Sequence, residues 1–484
     1  MFSWRRNSRA ADAVVATAGA VVLALVVAFA IRSRPPRQIV IGETPPGYYV
    51  RRARATVRLP SIDPDSAGMS GKRLGEIDVI VQRGIKEGGY PGAAVVVGRD
   101  GGEVLANGFG HLDWSANSPS VNPDSTIYDL ASLTKVVATT SAIMALYDDG
   151  IIHLNDKVTH WIPSFTGGFK DSVTIQQLLT HRSGLPPGRE LYRHMGDPER
   201  ARAAVISTPL VKGCPPGSCY MYSDLGADML GFIAEAASGE RLDEFTERRI
   251  FDPLGMTSTA FTVPHEQLHY LAPTGAPRGR VHDSNAAALG GVAGHAGLFS
   301  TASDLAVFAQ MLLDGGEYEG TRIFRTSTVK LFTTRTATGT RALGWDTCDS
   351  TNVRATCGRY LSARAFGHTG FTGTSMWIDP DRRMFIILLT NRVDDPKVRR
   401  PALVIHDIRA DIADAAVLAV AEADAGAPVV RSQFRSDNPQ RWQEPESKRR
   451  AKKGKAGRSS TRKRSHPAAR SRARLRAKAV PRKR

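Results

Sequence analysis

Residues 128–135 have the sequence YDLASLTK, and an apolar, helix-compatible run follows them up to Asp148-Asp149-Gly150. In a helix, residues three apart lie on one face, so the hydroxyl of Ser132 and the amine of Lys135 would meet in the first turn. The N–H groups of that turn have no helical partner, and the helix dipole is positive there. An oxyanion formed at the serine would be stabilised, which predicts a nucleophilic serine that needs no Ser-His-Asp triad.

The same Ser-x-x-Lys spacing occurs twice more in the chain, so the pattern alone does not identify a site. Ser460 and Lys463 lie in a basic tail that has no apolar periodicity. Ser327 and Lys330 lie in a short segment that is typical of an ordinary surface helix. Ser132 therefore needs support from other parts of the sequence.

The net charge of +18 is concentrated at the C-terminal end of the chain. Residues 448–484 contain 18 Lys and Arg and no Asp or Glu, and the remaining chain carries 47 basic and 47 acidic residues. A basic, nucleic-acid-binding fold is therefore not indicated for the rest of the chain. The tail lacks aromatic residues that could stack on bases, so we expect no specific nucleic-acid binding. Instead we consider either a solvated extension or a tether to anionic envelope polymers or lipids.

Residues 13–31 form an uncharged apolar run between two groups of arginines. Nineteen helical residues span about 28 Å, close to the thickness of a bilayer core. We interpret the run as a signal anchor in the inner membrane, with the basic residues 1–12 on the cytoplasmic side. The alternative is a cleaved signal peptide, since residues 28–30 have the small-x-small form of a cleavage site. Both interpretations place the catalytic domain in the periplasm or outside the cell.

The four cysteines fit an exported protein, because disulfides persist in oxidising compartments. Cys214 and Cys219 are five residues apart, and Cys348 and Cys357 are nine apart. Four cysteines allow three pairings, of which the two local loops are the simplest. Neither spacing is typical of a zinc site.

The order of predicted elements indicates an α+β fold. A helix over 72–87 and a hairpin around Arg99-Asp100-Gly101-Gly102 come before the Ser132 helix, and mostly helical segments follow from about residue 156 to 328. Strands return at 365–370, 374–378 and 384–390, before a helix at about 402–421. Strands at both ends predict one antiparallel sheet with a large helical region inserted. We place a linker at 32–65, the domain at 66–424 and a disordered basic tail at 425–484.

Two further stretches support Ser132. Residues 216–226, PGSCYMYSDLG, present Tyr222 in a turn-rich segment before a predicted helix. Residues 368–371 are His-Thr-Gly-Phe, in which Gly370 would let a ligand approach the strand backbone closely. A His-Glu-x-x-His metal motif, a phosphate loop and a Gly-x-Ser-x-Gly elbow are all absent from the sequence, so we predict no metal or cofactor.

In their order and context, these three stretches resemble the serine β-lactamase and penicillin-binding-protein superfamily, over roughly residues 68–423. The similar branch is that of class C β-lactamases, D,D-peptidases and esterases, which implies a β-lactamase/transpeptidase-like fold. Supporting fragments are LLTHRSGL at 178–185, FDPLGM at 251–256 and GLFSTA at 297–302.

The resemblance implies a role for each matching residue. Ser132 would be the acylated nucleophile, Lys135 would relay a proton, and Tyr222 would act first as general base and then as general acid. A cation favours a nearby phenolate, so we expect Lys135 and Tyr222 to titrate together. The backbone N–H groups of Ser132 and Phe371 would form the oxyanion hole. His368 and Thr369 would line the site and contact a substrate carboxylate or carbonyl.

Two positions depart from the family pattern. Asp224 replaces an asparagine and, when ionised, has no hydrogen to donate to a substrate carbonyl. His368 replaces the lysine that is usual in class C β-lactamases, a form more like D,D-peptidases and esterases. We therefore expect an exported serine hydrolase acting on cell-wall stem peptides or on small esters or amides. The alternatives are a genuine β-lactamase and a non-catalytic protein that binds penicillin or the envelope.

Overall fold

The computed structural model describes residues 56–337, 339–349, 355–425 and 434–444, without the side chains of 421–425. Within these ranges, no helix combines the length and the apolar character that crossing a membrane requires. The predicted anchor at 13–31 and the basic residues 448–484 lie outside the described residues, so the predictions about them stay predictions.

An antiparallel sheet built from both ends of the domain forms its centre. From one edge to the other, its six strands are Gly102–Gly110, Gly92–Arg99, Met384–Thr390, Ser375–Asp379, Phe366–Thr369 and Asp346–Thr347. The strand that follows the N-terminal helices pairs with the last strand, Ala93 opposite Thr390 and Arg99 opposite Met384. This is the predicted arrangement of N- and C-terminal strands around an inserted helical region. The strands are β1 Gly92–Arg99, β2 Gly102–Gly110, β3 Tyr128–Asp129, β4 Phe299–Ser300, β5 Glu317–Tyr318, β6 Thr321–Arg322, β7 Asp346–Thr347, β8 Phe366–Thr369, β9 Ser375–Asp379 and β10 Met384–Thr390.

Helices cover both faces of this sheet. The α-helices are α1 Gly71–Leu74, α2 Glu76–Lys86, α3 Ser141–Asp148, α4 Val158–Trp161, α5 Ile175–Leu179, α6 Pro198–Ser207, α7 Asp224–Ser238, α8 Leu242–Thr246, α9 Ser284–Ala288, α10 Ala302–Leu313, α11 Thr326–Thr333, α12 Pro401–Ala425 and α13 Gln440–Gln443. Short 3₁₀ segments lie at Ala131–Leu133, Lys170–Ser172, Leu191–His194, His265–Tyr270 and Arg435–Asp437, and π-helical segments at Lys135–Thr140 and Glu247–Phe251.

Alternate residues of the central strands belong to two different hydrophobic cores. Ala94 and Val96 of β1 face the inserted helical region, whereas Val95 and Val97 face the layer that contains α2 and α12. Successive strand residues point to opposite faces of a sheet, so a strand buried on both sides must be apolar at every position. The continuous apolar runs of β1 and β10 meet this requirement.

The segment around Ser132 differs from the regular helix that its sequence predicts. A 3₁₀ turn contains the serine, a π-helical segment begins at Lys135, and α3 begins only at Ser141. The Ser141 hydroxyl donates a hydrogen bond of 3.0 Å to the Val136 carbonyl, five residues earlier, which partners a backbone group of the widened segment. Ala131 has φ of 48°, a left-handed conformation that is strained for a residue with a side chain. Such strain and π-segments are frequent at functional sites.

The folded part of the chain also extends beyond both predicted boundaries, 66 and 424. At the start, the Glu103 N–H donates to the Pro60 carbonyl at 2.9 Å, which attaches part of the predicted linker to β2. At the end, residues 434–444 pack on α12, although a disordered tail is predicted from residue 425. The physical reason is Trp442, which is completely buried and donates its indole N–H to Asp407 at 2.7 Å. We call residues 434–444 the C-terminal clasp.

Candidate active site

Ser132 is held beside the sheet by buried polar contacts from its neighbours. The Asp129 carboxylate accepts the Ala131 N–H at 2.9 Å and the His282 N–H at 2.7 Å. The Thr134 hydroxyl accepts the Leu298 N–H at 3.1 Å. Because these bonds fix the turn on both sides of the serine, its position does not depend on a regular helix.

Lys135 makes three polar contacts through its ammonium group. Its Nζ lies 2.9 Å from the Ser132 hydroxyl, 3.0 Å from the His295 carbonyl and 2.8 Å from the Asp224 carboxylate. Burial lowers the pKa of Lys135, but its interactions with Tyr222 and Asp224 outweigh burial and raise the pKa above its ordinary value. The lysine is therefore charged at neutral pH and donates a hydrogen bond to the serine.

Tyr222 lies between two cations and two histidines. Its ring centroid is 5.1 Å from the Lys135 ammonium and 5.7 Å from the Arg341 guanidinium. The His181 ring is 4.6 Å away and the His368 ring 6.1 Å away. The structure thus brings Tyr222 to the pair Ser132–Lys135, although Lys135 lies 87 positions before Tyr222 in the chain. The predicted catalytic unit requires this proximity.

Asp224, the residue that departs from the family pattern, begins α7 and pairs with Lys135. Its side chain is 36% exposed, so it lies at the edge of the cleft. A carboxylate here compensates the charge of the lysine, which an asparagine would not do. This ion pair is a function of the substitution that the sequence pattern does not reveal.

Residues 368–371 form the opposite wall, at the end of β8. The short strand β7 pairs only with Phe366 and Gly367, so the strand edge beyond them is free of backbone pairing within the described residues. A side chain at Gly370 would collide with Thr374 and with the Leu130 carbonyl. The close approach at Gly370 in the structure therefore joins this wall to the Ser132 turn, and the predicted approach of a ligand stays a prediction. Thr369 is half-buried and the Phe371 ring is 62% exposed.

The two histidines beside Tyr222 are neutral. Burial, followed by Arg341 and Lys135, holds the pKa of both His181 and His368 well below the ordinary value. The Ser223 N–H donates to Nδ1 of His181 at 3.1 Å, so the ring proton of His181 is on Nε2. His181 lies in the fragment 178–185, and its contacts show that it supports the Tyr222 segment.

Lys135 also contacts His295, a buried histidine that lies between two aspartates. Nδ1 of His295 is 2.6 Å from Asp228, and its Nε2 is 3.3 Å from Asp283. Burial lowers the pKa of His295, but Asp228 and Asp283 outweigh burial and raise it well above the ordinary value. The charged His295 is thus fixed in place, and its carbonyl accepts a hydrogen from Lys135. The sequence gives no spacing signal for this cluster.

Arg341 is the second site residue that the sequence analysis missed. Its side chain is 5% exposed. Nη1 donates to Asp346 at 2.6 Å and to the Tyr220 hydroxyl at 3.3 Å. Nε and Nη2 are buried and have no hydrogen-bond partner among the described residues. A single arginine in a loop has no sequence pattern by which it could be recognised.

Both predicted local cysteine pairs occur as disulfides in the structure, Cys214–Cys219 and Cys348–Cys357. The first closes the loop that leads to Tyr222. The second lies in the segment between β7 and β8, which separates Arg341 from His368 in the chain. Each disulfide therefore restrains a connection that supplies site residues.

The site thus combines a serine, a buried lysine and a tyrosine, the three residues that the sequence resemblance assigns to catalysis. Residues 77–410 match the Beta-lactamase family model. The chain is 32% identical over 382 residues to the Escherichia coli (strain K12) protein named "Putative D-alanyl-D-alanine carboxypeptidase", covering 70% of this chain and 86% of that protein. The chain therefore belongs to the Beta-lactamase family and is a serine hydrolase of that family.

Two solved structures share the fold. EstCE1, described as a hydrolase with promiscuous acyltransferase activity, has 23% identity and a TM-score of 0.56, and the match covers 70% of this chain and 98% of EstCE1. A class C β-lactamase has 19% identity and a TM-score of 0.56, and the match covers 70% of this chain and 96% of that enzyme. The predicted β-lactamase/transpeptidase-like fold is confirmed. The individual roles of Ser132, Lys135, Tyr222, His368 and Phe371 stay predictions.

Proposed function

We propose that the protein is a D,D-carboxypeptidase, which removes the terminal D-alanine from peptides that end in D-Ala-D-Ala. Family membership supports an acyl-enzyme mechanism, and the name of the Escherichia coli relative supports this substrate class. The observation that carries the proposal is Arg341. A buried guanidinium with two unused donor nitrogens lies beside Tyr222, where the leaving group of a substrate would be.

In the proposed reaction, the Ser132 Oγ attacks the carbonyl carbon of the penultimate residue, and the Tyr222 oxygen takes the hydroxyl proton. The charged Lys135 stabilises the phenolate beside it. The N–H groups of Ser132 and Phe371 bind the oxyanion. As the C–N bond breaks, Tyr222 returns the proton to the departing amine of D-alanine.

Deacylation follows the same path with water in place of the serine. Tyr222 takes a proton from the water, whose oxygen attacks the ester carbonyl, and Ser132 leaves with that proton. The free acid of the shortened peptide is released. One tyrosine thus acts alternately as base and acid, which requires it to remain within reach of both Ser132 and the leaving group.

Arg341 explains why a free carboxylate is preferred at the substrate's end. A buried donor without a partner is unfavourable, and a charge-assisted bond to a carboxylate removes the unfavourable state. A planar guanidinium can bind a carboxylate through two parallel hydrogen bonds. A terminal amide or an ester offers no such charge.

The test is to measure D-alanine release from diacetyl-Lys-D-Ala-D-Ala and, in parallel, cleavage of the same peptide with its C-terminal carboxylate amidated. We expect release from the acid and at least about tenfold slower cleavage of the amide. Equal rates would remove the role of Arg341. Turnover of a chromogenic cephalosporin or a short-chain ester, with no release of D-alanine, would replace the proposal with a β-lactamase or an esterase.

We also propose that the enzyme acts outside the cytoplasm, anchored by residues 13–31. The support is the apolar run with flanking arginines and the two disulfides, which persist in oxidising compartments. Fractionation of cells that express the full chain should recover it with membranes, and external protease should reach its domain. Recovery in the cytoplasmic fraction with reduced cysteines would contradict both parts.

A further inference from the structure

Besides Arg341, another arginine, Arg392, lies over the exposed ring of Phe371 at the candidate site. The Arg392 guanidinium lies 4.8 Å from the ring centroid, and the His282 ring stacks on Phe371 at 5.9 Å. The Arg392 stem crosses the loop after β8, where a Cβ at Gly373 would lie 3.2 Å from the Arg392 Cγ. Arg392 is half-buried, and its Nε is buried without a hydrogen-bond partner in the described chain.

A second arginine lies behind it and adds to the positive charge. Arg409 of α12 is buried and donates through Nη2 to the Gly370 and Thr374 carbonyls, both at 2.6 Å. Burial, together with the charge of Arg392, lowers the pKa of Arg409 to about 9. Neither arginine forms an ion pair with a carboxylate of the residues that the structure describes. Buried charges in proteins are normally paired, so this cluster of two cations lacks an anion.

The position of the cluster relates it to the substrate. The backbone of Arg341 forms an isolated β-bridge with Asp346. Asp346 in turn pairs with Gly367, where the unpaired edge of β8 begins. Arg392 contacts Phe371. Phe371 is four residues after Gly367 along the same wall, which corresponds to roughly 13 Å of extended chain. A peptide whose leaving group lies at Arg341 and Tyr222, and whose carbonyl lies at the Phe371 N–H, would extend its acyl half towards Arg392.

We propose that Arg392, supported by the Phe371 ring, is a second anion subsite that binds a carboxylate on the acyl half of the peptide substrate. This inference rests on the proposed D,D-carboxypeptidase function and specifies its substrate. The preferred peptide carries two carboxylates, one at its C-terminus for Arg341 and one on the residue before D-Ala-D-Ala for Arg392.

The experiment compares two nearly isosteric substrates, acetyl-Glu-D-Ala-D-Ala and acetyl-Gln-D-Ala-D-Ala, by the kcat/KM of D-alanine release at low salt. Wild-type enzyme should prefer the Glu peptide by about tenfold, because a charged partner strengthens a hydrogen bond. In the Arg392→Gln variant the ratio should fall to about one. Arg392→Lys should keep part of the preference, since it retains the charge without the fork of donors.

Arg364→Gln is the matched control, because Arg364 is an exposed arginine paired with Asp381, and this variant should keep the wild-type ratio. Salt should lower the ratio in the wild type and not in Arg392→Gln. Equal turnover of the two peptides by wild-type enzyme would overturn the subsite alone, even if Arg392→Gln does not fold. No D-alanine release from either peptide would overturn the proposed function and this inference with it.

Discussion

Lys135 and Arg341 are two buried cations on either side of Tyr222, and they differ in how completely they are bonded. The Lys135 ammonium contacts a hydroxyl, a carbonyl and a carboxylate at 2.8 to 3.0 Å. Arg341 uses Nη1 for Asp346 and Tyr220, while its Nε and Nη2 have no partner in the described chain.

The Lys135 ammonium therefore uses its hydrogen bonds within the protein, whereas the Arg341 guanidinium has donors available to a ligand. A fully bonded lysine cannot change partners without breaking a network, so it is suited to holding Ser132 and Tyr222 in fixed geometry. An incompletely bonded arginine gains hydrogen bonds when a carboxylate arrives. Substitutions at the two groups should therefore affect different steps.

The largest loss of activity is expected for Ser132, whose hydroxyl contacts Lys135. Ser132→Ala should lower kcat/KM for D-alanine release by about 10⁴-fold or more, because no acyl-enzyme can form. The same variant should lose labelling by a fluorophosphonate probe. The control is Ser327→Ala in α11, which removes an exposed serine with the same spacing to a lysine and should label normally. Normal labelling of the Ser132 variant would disprove the assignment.

The next largest loss of activity is expected for Tyr222, whose ring lies between Lys135 and Arg341. Tyr222→Phe should reduce acylation by about 10²–10⁴-fold, the range for loss of a general base, with the thermal unfolding temperature nearly unchanged. Tyr220→Phe is the comparison, because Tyr220 reaches Arg341 through its hydroxyl and lies two residues earlier. A greater loss in Tyr220→Phe would mean that Tyr220, and not Tyr222, is the base.

Arg341→Gln should alter recognition more than the chemical step. We expect kcat/KM for the peptide with a free carboxylate to fall by about 10- to 100-fold, as for loss of a charge-assisted hydrogen bond. The preference for the acid over its amide should disappear, and Arg341→Lys should restore part of it. A preference that persists in Arg341→Gln would show that another group binds the carboxylate.

The smallest effect on rate is expected for Asp228, the partner of His295. Its substitution should also have a pH-dependent effect on stability. Asp228→Asn removes a charge that raises the pKa of His295, and breaking such a buried pair lowers the free energy of unfolding by about 3 kcal/mol. A raised pKa stabilises the fold below the unfolded value of about 6.5, and that contribution is lost as pH rises through the folded value. Urea unfolding should therefore show a larger loss at pH 6 than at pH 10. A pH-independent loss would mean that His295 is not charged.

The sequence predicts the fold well because its strands have simple patterns. Strand-forming segments on both sides of the turns at 99–102 and 379–383 identify β1 with β2 and β9 with β10, and their positions at both ends of the domain imply the sheet. The irregular Ser132 segment was not predictable in the same way. Its 3₁₀ and π turns depend on tertiary contacts such as the one between the Asp129 carboxylate and the His282 N–H, and local propensity does not contain such contacts.

The candidate site was predictable only where it has motifs. Ser132, Lys135, Tyr222 and His368 lie in stretches with recognisable order, and the structure brings them together. Arg341, Arg392 and the Asp228–His295–Asp283 cluster have no characteristic spacing. Their importance comes from burial and from bonds that are present or missing in three dimensions, which a single sequence does not show.

The C-terminal clasp has a consequence for proteolysis. The Asp411 carboxylate accepts the backbone N–H groups of Arg435 and Ser436, at 2.9 and 2.6 Å, and Asp407 accepts the indole N–H of Trp442. Residues 448–484 contain 18 Lys and Arg, so a protease that cleaves after basic residues has many sites there. Trimming within that tail leaves these bonds intact. A cut before residue 434 would sever the covalent link between the clasp and α12, the helix that also carries Arg409.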